Sequence, residues 1–281
     1  MNPRPHIHVE RQGAVGIVTI DRRARFNSLD VETARDLRRA AAQLAGDRGV
    51  RAVILRGAGG VFCSGADLQY VAAGGDRDDL GHLRSPSGDD AAPGYGAVFA
   101  QILEDIHATI SAIRRSPKPW LAVVDGPAAA AGLGLALACD LVIASERAWF
   151  EWAYLKAGMT GAESSTFFLA RLVGFHKAME LALLSPRLSA REAAALGLVN
   201  AVHPDDAIDA AGVALAERLA ATPTEAVGVA KDLLNRALGM DQLAPHLDAE
   251  RGELARIADG RDFAEGLAAF FARRPPHFGA A

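Results

Sequence analysis

The chain has 281 residues, half of them hydrophobic, which is enough for one full core, and its formal net charge of -4 comes from interspersed acids and bases. That balance provides neither a basic stripe for nucleic acid nor a cationic face for an anionic membrane, so a small molecule is the expected partner. The two cysteines, Cys63 and Cys139, are too few for a disulfide framework and lack metal-site spacing; both read as packed thiols in a reducing cytoplasm.

In chain order, Met1-Asn2-Pro3-Arg4-Pro5-His6 has no apolar stretch behind its charge, so no leader is expected. Runs of β-branched and aliphatic residues at 15–20, 52–55, 121–124, 141–144 and 199–202 predict strands. Between the first two, 30–44 starts on a capping aspartate and carries Val31, Ala34, Leu37, Ala41 and Leu44 on one helical face. Phe99, Ile102, Leu103, Ile106, Ile110 and Ile113 mark a second helix ending near Arg115. The alternation is that of an α/β domain. The segment 74–94 turns polar and rich in glycine and proline, and reads as a mobile loop or lid. The longest apolar run, Gly126 to Cys139, falls short of the about 20 residues that cross a bilayer. After Pro204 helices are expected at 207–219, 222–238, 241–257 and 259–272. This part reads as an appendage that covers a site, joins subunits or acts as a structural cap.

Two glycine-punctuated turns carry the chemistry. Arg56 to Leu68 (RGAGGVFCSGADL) and Val124 to Asp140, through Gly126-Pro127 and Gly132-Leu133-Gly134, each follow an apolar strand and open a helix. Each can present amides that the first helical turn leaves unpaired. Facing one pocket, two such turns would hold a developing oxyanion, as chemistry next to a carbonyl requires. Taken singly, either turn is also ordinary strand-to-helix architecture.

These turns, with Asp21-Arg22 through Asn27-Ser28-Leu29, Lys118-Pro119, Leu188-Ser189-Ala190 leading to Gly197-Leu198-Val199, and Asp262-Phe263-Ala264-Glu265-Gly266 before Arg273-Arg274-Pro275, resemble the crotonase, or enoyl-CoA hydratase/isomerase, superfamily. The resemblance runs over nearly the whole chain. It implies a spiral of ββα units over residues 1–203, a C-terminal helical trimerisation region over 204–281, and a homotrimer or hexamer. It also implies an acyl-CoA substrate that brings its own coenzyme A, with no further cofactor and no metal.

Matched by position, the two oxyanion amides are those of Ala66 and Ala131, the second in an alanine-rich stretch where the family has glycines, so that the donor could shift to Gly132. Ser64, Asp67 and Leu68 would border the coenzyme. Arg25 would meet its phosphates, or else belong to a solvated group with Arg22 and Arg23. The two glutamates that activate water in the family's hydratases are replaced by Gly134 and Tyr154. Glycine transfers no proton; the tyrosine can donate a hydrogen bond or stack on the acyl chain.

Glu163 lies one position beyond the acid of the family's isomerases and is the expected single base of a double-bond shift. Its alternative role is an acid favoured by the dipole of a helix's first turn. His107 reads as part of a solvated helix face, His82 as exposed in the loop, Asp140 as a structural tie, and Glu104 as a second candidate acid. The function expected is enoyl-CoA isomerisation, with hydration, or hydrolysis or decarboxylation of a CoA ester, as alternatives. A non-catalytic scaffold is a further one.

Overall fold

The computed structural model describes residues 6–76 and 94–279; most of the segment expected as a lid, with His82, lies outside them. The first strand, β1 (Ile7–Gln12), pairs antiparallel with β2 (Val15–Ile20). Asp30 then caps α1 (Val31–Gly46) by accepting from the Thr33 amide, and the chain returns as β3 (Ala52–Gly57), parallel to β2. After the first glycine turn come α2 (Leu68–Ala72) and α3 (Tyr95–Arg115). Next is β4 (Trp120–Val124), followed by the three-residue β5 (Pro127–Ala129) and α4 (Ala131–Ala138). Then follow β6 (Leu141–Ser145), β7 (Trp149–Glu151), α5 (Ser165–Val173), α6 (Phe175–Leu184), β8 (Leu188–Ser189), α7 (Ala190–Ala195) and β9 (Ala201–His203). A six-stranded sheet runs β1-β2-β3-β4-β6-β9, and β5-β7-β8 form a second sheet.

The central strands are buried on both faces, which explains why their sequences run apolar without alternation. Alternate residues nevertheless serve two cores. Val53, Leu55, Ala122 and Val124 pack into the larger one with α1 and α3. Ala52, Ile54, Leu121 and Val123 pack under α8 (Ile208–Ala220). Burying one such aliphatic side chain contributes about 1.5–3 kcal/mol. The last predicted strand is displaced: β9 begins at Ala201, because Leu198 and Val199 pack into the larger core at the end of α7. The sequence reading missed β1 and the short β5, β7 and β8, whose two or three residues carry no periodic signal.

The remaining helices are α9 (Thr224–Ala237), α10 (Leu243–Ala258) and α11 (Arg261–Ala272). The last two return to the body of the protein. Phe263 of α11 meets Tyr95 and Phe99 of α3 edge-on at 5.4 Å, and α10 lies along α3. Asp140 ties the centre together: its carboxylate accepts from the Trp120 amide, Arg114 and Lys231, each at 2.8 Å. Both cysteines are buried and free, and burial pushes each thiol up to about 12. Among the described residues no helix is long and apolar enough to cross a membrane.

Candidate functional site

The two glycine turns meet. Cys63 bridges to Ala128, with the Ala129 amide donating to the Cys63 carbonyl at 3.0 Å, and Leu29 bridges to Ala66. At Gly65, with φ of 108°, a Cβ would stand 3.0 Å from the Ala130 Cβ and 3.7 Å from the Ala131 nitrogen. Only a residue without a side chain allows that approach in that conformation. Ala130 itself adopts φ 48° and ψ -115°, a strained corner for a residue with a Cβ. It places Ala131 at the first position of α4, where helical amides have no partner within the helix. Among the described residues neither the Ala66 nor the Ala131 amide donates to a backbone carbonyl, and both residues line one cavity of about 330 Å³.

Glu163, 3% exposed, lines the same cavity. It is not in the first turn of α5, as its sequence position suggested; it precedes that helix in the left-handed region, with φ of 51°. Burial is the main reason its carboxyl is pushed up to about 8, helped by the charge of Glu250 and opposed by a hydrogen bond donated by the Tyr154 hydroxyl. Tyr154 is buried too, and burial beside Glu163 holds its own proton well above the usual range. Its ring packs edge-on to Trp152 at 4.9 Å, and the Trp152 indole donates to Ser165. Gly134 explains the missing glutamate in steric terms. A Cβ there would lie 2.1 Å from the Glu163 carbonyl oxygen and 2.9 Å from its Cβ, so the backbone that carries Glu163 occupies the place of a side chain at 134.

The other expected contacts divide. Ser64 and Leu68 line the cavity, as does Tyr154. Asp67 does not: it is 4% exposed, caps α2 through the Gln69 and Tyr70 amides, and pairs with Arg22 at 2.6 Å. Burial raises its pKa, but Arg22 and those amides outweigh burial and hold it below the usual carboxylate range. Gly132 faces the Cys63 carbonyl, 2.1 Å from where its Cβ would sit, and so serves the contact between the turns rather than the cavity wall. Arg25 is exposed in the turn Arg23–Arg25, outside the cavity lining but near enough to help hold Asp67 down. His107 is the clearest correction. It is 8% exposed, 3.8 Å from Glu250 of α10, and burial is the main cause that pushes its imidazole down to about 4. Its helix face looked solvated because α10, which covers it, lies more than a hundred residues away in sequence. Glu104 is half-buried on α3 and absent from the cavity lining.

Sequence reasoning also missed Glu151. This second acid of the cavity is 4% exposed and ion-paired to Lys156 and Arg187, with Arg187 stacked 3.9 Å over the Trp149 ring. Leu254 of α10 and Phe270 of α11 close the apolar side, so the C-terminal helices are part of the cavity wall. Only the pairing of Glu151 with Ala129 across β5 and β7 brings that acid to the site, and two three-residue strands leave no sequence signal.

A cavity lined by two unpartnered amides and a buried carboxyl, on a fold of this strand order, defines a class. The solved enoyl-CoA hydratase of Mycobacterium avium subsp. paratuberculosis superposes with a TM-score of 0.84 and 34% identity, over 99% of this chain and all of the other. The profile of the enoyl-CoA hydratase/isomerase family matches residues 10–90 and 86–281, and the chain belongs to that family, within the crotonase superfamily. Among curated relatives, a probable enoyl-CoA hydratase of Rhodobacter capsulatus is 33% identical over 97% of both chains. The 1,2-epoxyphenylacetyl-CoA isomerase of Escherichia coli is 34% identical over 96% of both, and a 4-chlorobenzoyl coenzyme A dehalogenase of Arthrobacter is 32% identical over 96% of this chain and 91% of its own. The protein is an acyl-CoA enzyme of this family.

Proposed function

We propose that the protein is an enoyl-CoA isomerase that moves a double bond through a dienolate. The observation that carries this reading is one buried carboxyl, Glu163, in the same cavity as two free amides, where position 134 has no room for an acid and the cavity's other carboxyl, Glu151, is ion-paired to Lys156 and Arg187. In a 3-enoyl thioester, the ionised Glu163 takes a proton from C2. The released electron pair forms a C1–C2 double bond as charge moves to the thioester oxygen, where the Ala66 and Ala131 amides receive it. Charge then returns, the double bond settles between C2 and C3, and C4 takes the proton back from Glu163. A carboxyl with a pKa of about 8 is well matched to accepting and returning one proton near neutrality. Coenzyme A enters as part of the substrate, with Ser64 and Leu68 along its arm, Arg25 outside for its phosphates, and no separate cofactor needed.

The test follows 2-enoyl-CoA formation from 3-enoyl-CoA. Glu163→Gln is expected to lower kcat by about 10²–10⁴ while retaining affinity for the CoA ester. Turnover that survives the substitution removes Glu163 as the base.

A second reading, addition of water or hydrolysis, is favoured by Glu151, the other carboxylate of the cavity. Product analysis with 2-enoyl and malonyl-type thioesters separates the two readings. Assembly into a homotrimer or hexamer, in the cytoplasm, completes the proposal. The exposed Phe175, Leu183 and Leu184 of α6 and Val229, Leu233 and Leu234 of α9 support contact between subunits, and sedimentation velocity measures it.

A further inference from the structure

Behind Glu163 lies a carboxylate from a distant helix. Glu250 of α10 is 6% exposed; its Oε2 accepts from the Ser164 amide at 2.8 Å and its Oε1 from the Thr166 hydroxyl. Ser164 is the residue that caps α5, yet its own side chain provides no cap; its hydroxyl donates instead to the Glu163 carbonyl. Glu163 and Ser164 are consecutive side-chain-bearing residues in the left-handed region, with φ of 51° and 60°. Such a conformation persists only where its surroundings hold it, and Glu250 bonds both ends of the segment that follows.

The charges around Glu250 are few. His107 reaches it from α3 at 3.8 Å and His246 from its own helix at 3.4 Å, while Asp248 and Arg251 of α10 act on His107. Among the described residues no lysine or arginine forms an ion pair with Glu250 within 4 Å. On the side of Glu163, Tyr154 and Cys63 both titrate far above neutrality.

We propose that Glu250 is the positioning residue of this site: its carboxylate clamps 164–166 so that the Glu163 carboxyl is held in the cavity with the oxyanion amides, and it sets a second negative charge behind that carboxyl. The proposal rests on Glu163 being the base, and removal of charge alone tests it.

In the wild type, kcat/KM for the double-bond shift rises with pH as Glu163 ionises. Glu250→Gln preserves shape and one acceptor but removes the charge. Its acid limb is expected to move to lower pH by about half a unit or more, because a neighbouring like charge no longer opposes ionisation, and its plateau rate to fall. Thr166→Val removes the hydroxyl's hydrogen bonds to Glu250 and His246 and leaves the Glu250 charge, so kcat should fall with the limb in place and KM little changed. An acid limb that stays put in Glu250→Gln overturns the proposal, whatever happens to stability; so does a limb that vanishes in His246→Gln, since it would then belong to the imidazole. Should Glu250→Gln fail to fold, Glu250→Asp decides. It retains the charge but is one methylene short of Ser164, so a several-fold loss of kcat at an unmoved limb supports the clamp, and wild-type kcat refutes it. Failure of the base itself is read separately, from turnover by Glu163→Gln.

Discussion

The two walls of the cavity are built from different materials. The part that holds Ala66 and Ala131 presents main-chain hydrogens, whereas the part that holds Glu163 and Tyr154 presents side chains, backed by Glu250. A backbone donor belongs to no particular side chain, so an alanine can supply it, at the cost of a strained Ala130. A proton carrier tolerates nothing of the kind. With glycine at 134 and tyrosine at 154, the carboxyls of this cavity come from Glu151 and Glu163.

The sharpest way to break this comparison is to remove a donor from the first wall without changing any side chain of the second. Ala131→Pro deletes one amide at the first helical position, where proline fits, and Ala130→Gly beside it frees the preceding corner. The pair should lower kcat by about 10²–10³, as loss of one oxyanion donor does, with secondary structure by circular dichroism unchanged. Wild-type turnover would show that the Ala131 amide meets no charge.

Gly134→Ala joins the walls instead, because its new methyl would enter the space of the Glu163 carbonyl. Overpacking against backbone should destabilise the fold by about 1–3 kcal/mol in denaturant unfolding, and activity should fall with it. Restoring the hydratase glutamate at 134 should therefore yield no hydratase.

The smallest effect is expected on the second wall alone. The Tyr154 hydroxyl favours the ionised form of Glu163, so Tyr154→Phe raises the Glu163 pKa and moves the acid limb of kcat/KM to higher pH. A shift of about one unit lowers the rate at neutral pH by about tenfold, and the full pH profile restores it on the alkaline side.

Much of the first wall was legible in sequence, because turns are local: Gly65 and the start of α4 announce themselves within a few residues, whereas Asp67, read as a coenzyme contact, caps α2 instead. Glu163 was legible only as an offset match, and its setting was misread. Its burial and left-handed backbone depend on Gly134 and on α10 rather than on its neighbours. His107 illustrates the same limit. Nothing on α3 announces that Asp248, Glu250 and Arg251 of α10 will act on that imidazole, or that it will be covered at all.

By itself the sequence determined what short-range physics controls: the central strands β2, β3, β4 and β6, the helices α1, α3 and those after Pro204, the Asp30 cap, and the two glycine turns. Tertiary structure alone decided which carboxyls reach the cavity and in what state. Burial of Glu163, the arrival of Glu151 across two short strands and the hydrogen bonds that Glu250 accepts each join residues far apart in the chain, and both desolvation and charge coupling act through space rather than along sequence.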